Sequence, residues 1–142
     1  VLLGERIADG GLVHVAIDNV AAAAEATHHL IDLGRRRIAA IGVEAEDAPG
    51  PAPSRLAGYR AALTAAGLPT APDMEVATGG WFRSSGYRAV SELLASGTQV
   101  DALFCFNDVL ALAAIRALAD HGLRVPDDVA VVGWDDIDES AY

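Results

Sequence analysis

The 142-residue chain is 52% hydrophobic and 21% charged, a composition that fits one compact domain and excludes a disordered or fibrous protein. Its 20 acidic and 10 basic residues give a formal net charge of −10, so this segment repels phosphate backbones and is not expected to bind nucleic acid directly. The single cysteine, Cys105, excludes an internal disulfide and favours a reducing cytoplasm. No stretch approaches the roughly 20 apolar residues of a membrane helix.

Strand-like and helix-like segments alternate throughout the chain, which predicts an α/β fold around a parallel sheet. Apolar runs predict strands at residues 1–4, 13–17, 38–43, 74–78, 102–106 and 129–134. Helical spacing predicts helices at about 20–34, 56–67, 84–96 and 107–122. The prolines and glycine within residues 44–53 predict a loop. Because the first strand has no lead-in and the last is cut off near Tyr142, we expect the sequence to be part of a larger protein.

Four side chains that are unusual beside a buried sheet fall just beyond predicted strands, on the connections to the next elements: Arg55, Trp81, Asn107 and Asp135. The carboxyl ends of parallel strands meet at one edge of the sheet, where ligands bind beside helix amino termini. A guanidinium, an aromatic face, an amide and a carboxylate together suit a polyol or a heterocycle. The sequence therefore predicts a small-molecule site at this rim, with no metal and no cofactor.

Each of these residues also has a purely structural interpretation. Trp81 could be a hydrophobic plug over the rim, Arg55 a surface charge at a helix start, and Asn107 an amino-terminal helix cap. Asp135 could cap a following turn, and its neighbour Asp136 is expected to point away from the site. The residue types alone leave both interpretations open.

A catalytic site is harder to build from this sequence. No histidine follows a strand beside a serine or cysteine, and Cys105 lies inside an apolar strand, where a buried, inert thiol is expected. The sequence has no GxGxxG, GxxxxGK[ST], GxSxG or HExxH motif. A hard-metal cluster could be suggested by four aspartates, but three of them have capping or turn explanations: Asp101, Asp108, Asp135 and Asp136.

Four longer stretches of the sequence match the pattern of a known family: HLIDLGRRRIAAIG (29–42), SRLAGYRAALTAAGL (54–68), DALFCFNDVLALAAIRAL (101–118) and GLRVPDDVAVVGWDDI (122–137). In order and spacing they resemble the effector-binding core of bacterial transcription regulators of the LacI/GalR type. The resemblance implies a type I periplasmic-binding-protein fold with a doubly wound parallel sheet, in which two α/β subdomains close on a ligand. It assigns residues 1–18 to the end of the amino-terminal subdomain and residues 19–142 to most of the carboxyl-terminal one.

The resemblance also implies roles for the four rim residues. Arg55, in a stretch of the form S-R-x-x-G-Y, matches an effector-binding arginine of the family. Asn107, in ND, and Asp135, in VVGWDD, match ligand-contacting residues. Trp81 matches a position where the family often has a ligand-facing aromatic side chain.

Three further positions are marked by the resemblance. Asp18 is similar to an aspartate near the crossover between the subdomains, where a contact with the ligand is a second possibility. Leu112 lies on a stretch that resembles the dimer-facing helix of the family. Ala113 departs from the family pattern, which usually has glycine there, and this puts close helix packing at that point in doubt.

We therefore hypothesise that the chain is the effector-binding core of a cytoplasmic, ligand-responsive transcription regulator, whose effector is a sugar or a sugar derivative. Operator DNA would be bound by a homodimer through a helix-turn-helix that this chain lacks, with no role for a membrane. Two alternatives remain open. One is an exported sugar-binding protein of a transport system, which shares the fold, and the other, less favoured, is a doubly wound α/β enzyme that uses the carboxylates.

Overall fold

The computed structural model describes residues 1–4 and 13–141. Residues 5–12, which belong to the predicted amino-terminal subdomain, and Tyr142 lie outside the described residues. Strands and helices alternate in the order β1 (Leu2–Leu3), β2 (His14–Val15), α1 (Asn19–Asp32), β3 (Ile38–Val43), α2 (Ala52–Ala65), β4 (Glu75–Ala77), α3 (Arg83–Ala95), β5 (Ala102–Cys105), α4 (Asp108–Asp120) and β6 (Ala130–Val132). Short 3₁₀ turns cover Pro72–Met74 and Asp138–Ala141. The predicted α/β fold is confirmed.

The main sheet has four parallel strands in the order β4-β3-β5-β6. The chain therefore moves from β3 to one side for β4 and returns to the other side for β5. The gap between the carboxyl ends of β3 and β5 is the topological switch point of the sheet, and ligands of open α/β folds bind at such a point. β1 and β2 form a separate parallel pair.

Helices cover both faces of this sheet, as the doubly wound prediction requires. α1 and α2 pack on one face against Ile38 and Phe104, and α3 and α4 pack on the other against Ile41 and Leu103. Successive side chains of a strand point to opposite faces, and both faces are apolar because both are covered. None of the described helices is long and apolar enough to cross a membrane.

Two predicted boundaries are wrong in ways that affect the site. α2 begins at Ala52, inside the predicted loop, and Pro53 lies in its first turn, where the missing N–H breaks no helical hydrogen bond. Arg55 is consequently part of a helix and does not lie on a connection. β6 ends at Val132, short of the predicted residue 134, because the chain turns beyond it and Asp135 has a φ of 111°.

We predict that Gly58→Ala destabilises the domain, although replacing glycine by alanine inside a helix normally stabilises it by about 1 kcal/mol. A Cβ on Gly58 would overlap the backbone oxygen of Val20 and lie 2.9 Å from the Cβ of Ala23, so α1 and α2 would have to separate. Overpacking of this kind typically costs about 1–3 kcal/mol. Urea unfolding measures the change, with Thr64→Ala on the exposed face of α2 as control. A raised unfolding midpoint for Gly58→Ala would contradict the close packing.

Candidate functional site

The centre of the site is the guanidinium group of Arg55, a residue that is only 4% exposed. Its Nε donates a hydrogen bond to the Oδ1 of Asn19 at 2.9 Å, and its Nη1 donates to the carbonyl oxygen of Phe106. A charged group buried without partners is strongly unfavourable, so these acceptors are what allow the arginine to lie inside the domain. The interpretation of Arg55 as a surface charge is wrong.

Two tryptophan rings lie against the same guanidinium. The Cζ of Arg55 is 4.0 Å from the ring centroid of Trp134 and 5.4 Å from that of Trp81. Both distances are within the range of cation–π attraction, which is stronger when the cation is shielded from water. Arg55 therefore brings two large aromatic surfaces together at the carboxyl end of the sheet.

Trp81 is fixed against the end of β3. Its Nε1 donates to the carbonyl oxygen of Gly42 at 2.9 Å, and its ring meets the edge of Phe106 with the centroids 6.2 Å apart. Gly42 has a φ of 108°, and a Cβ there would lie 3.1 Å from the Nε1 of Trp81 and 2.7 Å from the side chain of Leu110. The part of Trp81 that contacts Gly42 and Phe106 thus fills the switch point as a plug. The side chain is only half-buried, so part of the ring stays accessible to a ligand.

Asn107 caps α4, as its structural interpretation requires. Its Oδ1 accepts a hydrogen bond from the backbone N–H of Leu110 at 2.8 Å. No described residue accepts a hydrogen bond from its Nδ2, and the side chain is half-buried. The amide group therefore caps the helix through its oxygen and has N–H donors to offer a ligand.

Asp135 and Asp136 follow β6 in a left-handed backbone conformation, with φ of 111° and 57°. Partial desolvation is the main reason that the pKa of Asp135 is raised above its ordinary value, and nearby Asp108 raises this pKa further while Arg55 lowers it. The carboxylate of Asp136 accepts a hydrogen bond from the Oγ of Ser140 at 3.0 Å. Asp135 is thus electrostatically connected to the centre of the site, and Asp136 is engaged within its own turn.

Sequence reasoning missed two side chains that shape this site. Asp18 caps α1, because its Oδ1 accepts from the backbone N–H of Ala21 at 3.0 Å, and the next residue, Asn19, is buried and bonded to Arg55. The sequence does not single out Trp134, because it is the last residue of a predicted apolar strand. The same rule that singled out the four rim residues, polar or aromatic side chains at strand ends, would have found it. Asp18 is exposed, and its ligand contact stays a prediction.

The four aspartates of the suggested metal cluster do not lie together. Asp101 precedes β5 and accepts hydrogen bonds from the backbone N–H groups of Arg36 and Arg37, whereas Asp108 follows the same strand at its other end. In the part of the chain that the structure describes, no three His, Cys, Asp or Glu side chains are arranged to hold a metal ion.

Among the concave regions of the described residues, two contain none of the four predicted rim residues. A cavity of about 560 Å³ opens at the amino ends of the strands, beside Val100 and Val129, and contains none of the predicted site residues. A smaller one of about 200 Å³ runs along the outer side of β6 beside the rim, where Leu112, Ile115 and Val131 line it together with Asp108 and Gly133. We favour the rim as the ligand site because a buried cation, paired aromatic rings and helix amino termini converge there.

A buried arginine, two tryptophan rings, an amide and a carboxylate thus lie at the carboxyl edge of a parallel α/β sheet, the edge at which α/β domains of this kind bind small molecules. The family model of the periplasmic binding protein-like domain matches residues 27–142. The chain belongs to this family.

Similar proteins are transcription regulators of the LacI type. The HTH-type transcriptional regulator CelR of Thermobifida fusca is 45% identical over 123 residues, which cover 87% of this chain and 35% of CelR. A structure described as a LacI-family regulator from Sanguibacter keddieii superposes with a TM-score of 0.91 and 46% identity, covering 99% of this chain and 52% of that chain. A CelR–cellobiose complex superposes with a TM-score of 0.84 and 40% identity, covering 94% of this chain and 41% of that chain. The predicted resemblance is confirmed, and the chain spans between a third and about half of the length of these proteins.

We predict that Arg55→Met lowers the free energy of unfolding by about 2–4 kcal/mol, because it removes the donor that pairs the buried Oδ1 of Asn19 and the carbonyl oxygen of Phe106. The control is Arg83→Met, which breaks an exposed ion pair to Glu139 and is expected to change stability by less than about 1 kcal/mol. Urea unfolding of both variants checks the difference. Equal effects would mean that Arg55 does not organise the rim.

Proposed function

We propose that this chain is the effector-binding part of a LacI-type transcription regulator and that it comprises mostly the carboxyl-terminal of two subdomains. The observation that carries the proposal is the buried Arg55 at the switch point, which holds Trp81 and Trp134 beside Asp135. We assign residues 1–18 to the end of the first subdomain and residues 19–142 to the second. The regulator relatives support the assignment to this class of protein.

An uncharged sugar is the effector that suits the rim best. Indole rings offer a flat apolar surface to the C–H face of a sugar ring, and the Asn107 amide and Asp135 carboxylate pair with hydroxyl groups. Among the described rim residues the cation is Arg55, whose charge acts on the carboxylate of Asp135, so the rim has no excess positive charge with which to recognise a phosphate. CelR, a relative, forms a complex with cellobiose, which makes this disaccharide the first compound to try.

Regulation would follow from closure of the two subdomains on the sugar. A ligand that binds the closed arrangement more tightly shifts the population toward it, and this changes the spacing of two DNA-binding heads in a homodimer. We propose that α4 contributes to the dimer contact through Leu112, which lies next to the 40% exposed Ile115. Such a protein acts on operator DNA in the cytoplasm, and it needs no cofactor and performs no catalysis.

The two alternatives receive less support. An exported sugar-binding protein would share the fold, but the relatives with similar sequences are transcription regulators. An enzyme would depend on grouped carboxylates, and Asp101 lies at the opposite end of β5 from Asp108.

We predict that Asp135→Asn weakens sugar binding about 10- to 100-fold, because a hydrogen bond to a charged group contributes about 1.5–3 kcal/mol. Asn keeps the shape of Asp and tolerates the left-handed backbone at this position. The matched control is Asp136→Asn, the same substitution one residue further along. The Asp136 side chain accepts a hydrogen bond from Ser140, so this variant should bind the sugar with unchanged affinity.

Isothermal titration calorimetry of the full-length protein checks this prediction. The panel consists of cellobiose, ribose, hypoxanthine and glucose 6-phosphate, and we expect cellobiose or another uncharged sugar to bind. Full affinity of the Asp135 variant would refute the rim as the ligand site. Exclusive binding of the phosphorylated sugar would refute the assignment of an uncharged effector.

We also predict that sugar affinity decreases as the pH is lowered. The carboxylate of Asp135 accepts hydrogen bonds most strongly when it is ionised, and its pKa is raised mainly by desolvation. Binding is therefore complete above this pKa and is lost as the pH falls through it, in a range that begins above the ordinary pKa of an aspartate. Titrations with cellobiose over acidic and neutral pH measure the profile. If the Asp135→Asn variant loses affinity over the same pH range, the pH dependence must come from another group.

A further inference from the structure

We propose that Asp108 is a positioning residue for effector binding, which acts by holding the turn of residues 133–137 in place. This segment, called the rim turn here, carries Trp134 and Asp135. The inference rests on the proposed function of the rim. Asp108 itself is the first residue of α4, and it is only 7% exposed, which is unusual for a carboxylate that forms no ion pair with any described residue.

Asp108 is bonded to the rim turn on both sides of Asp135. Its backbone N–H donates to the carbonyl oxygen of Trp134 at 2.8 Å, and its Oδ2 accepts from the backbone N–H of Ile137 at 3.0 Å. The two contacts enclose Asp135 and Asp136 between them. A single residue of α4 therefore fixes where the turn leaves β6 and where it ends.

The rim turn needs such support because its backbone conformation is unfavourable. Asp135 and Asp136 have φ of 111° and 57°, in a region that residues other than glycine seldom occupy. A conformation of this kind persists only when surrounding contacts impose it. The hydrogen bonds to Asp108 are contacts of that type, and the orientation of the Asp135 carboxylate depends on the backbone that they hold.

Gly133 shows how closely the carboxylate of Asp108 fits beneath the turn. A Cβ on Gly133 would overlap the Oδ1 of Asp108 and lie 3.1 Å from the Cβ of Ala111. The space that a side chain at residue 133 would occupy is thus filled by the carboxylate. Gly133→Ala would therefore displace the carboxylate of Asp108 without a substitution at Asp108 itself.

The first test compares variants of Asp108 in the full-length protein, with cellobiose as the probe. Asp108→Ala removes the acceptor for the Ile137 N–H, and we expect affinity to fall about tenfold, as for a lost hydrogen bond to a charged group. Asp108→Asn keeps an oxygen that accepts this N–H, and its affinity should stay within about threefold of the unchanged protein. The control is Asp120→Ala at the other end of α4, where the side chain pairs with Arg116 and affinity should not change.

Hydrogen exchange of the rim-turn amides gives a readout that does not depend on any ligand. We expect the Ile137 amide to exchange faster in Asp108→Ala than in the unchanged protein, with protection restored in Asp108→Asn. Equal protection in all three proteins would overturn the proposal, whether or not cellobiose binds. If Asp135→Asn weakens binding but Asp108→Ala does not, the proposed function stands and the role of Asp108 is refuted.

Gly133→Ala covers the case in which Asp108→Ala folds poorly, and where both variants fold, a double-mutant cycle tests whether the two residues act together. Gly133→Ala alone should also lower affinity and speed exchange of the Ile137 amide, because it pushes the carboxylate out from beneath the turn. In combination with Asp108→Ala the overlap with the carboxylate is gone, so the double variant should bind no more weakly than the worse single variant. Fully additive losses would show that the two residues act independently and would overturn the proposal.

Discussion

A guanidinium group buried at the carboxyl end of a sheet must be surrounded by acceptors, because an ion without partners is far less stable inside a protein than in water. Arg55 meets this requirement with two acceptors on different elements, the Oδ1 of Asn19 at the start of α1 and the carbonyl oxygen of Phe106 just beyond β5. Arg55 itself belongs to α2. One buried charge therefore fixes two helices and a strand end relative to one another, and the geometry of the rim follows from it.

The same cation determines what surrounds it. The guanidinium attracts the electron-rich rings of Trp81 and Trp134, and its charge favours the ionised form of Asp135. Desolvation and the carboxylate of Asp108 act in the opposite sense, and the net result is a raised pKa of Asp135. A proposed site without net positive charge suits a neutral ligand with many hydroxyl groups better than an anion.

Much of this arrangement is predictable from the sequence. The strand at Ile38–Val43 follows from an uninterrupted apolar run, and the rim residues follow from the rule that parallel strands end at one edge. The burial of Arg55 was not predictable, because it depends on acceptors that are 36 and 51 positions away in the chain. The prolines predict a loop where α2 begins, whereas in the first turn of a helix proline is compatible with the helix. The left-handed backbone of Asp135 had no signal, because glycine, the usual marker, is absent there.

Two neighbouring residues connect the rim to α4 in different ways. Asn107 caps the helix with its side-chain oxygen and has N–H donors directed away from that cap, while Asp108 holds the turn that carries Trp134 and Asp135. The amino end of α4 is thus shared between the helix and the proposed ligand site. A helix moves as a rigid element, so a displacement of this end reaches Leu112, one turn further along, without loss. If Leu112 lies at the dimer contact, occupancy of the rim and the geometry of the dimer are coupled through a single helix.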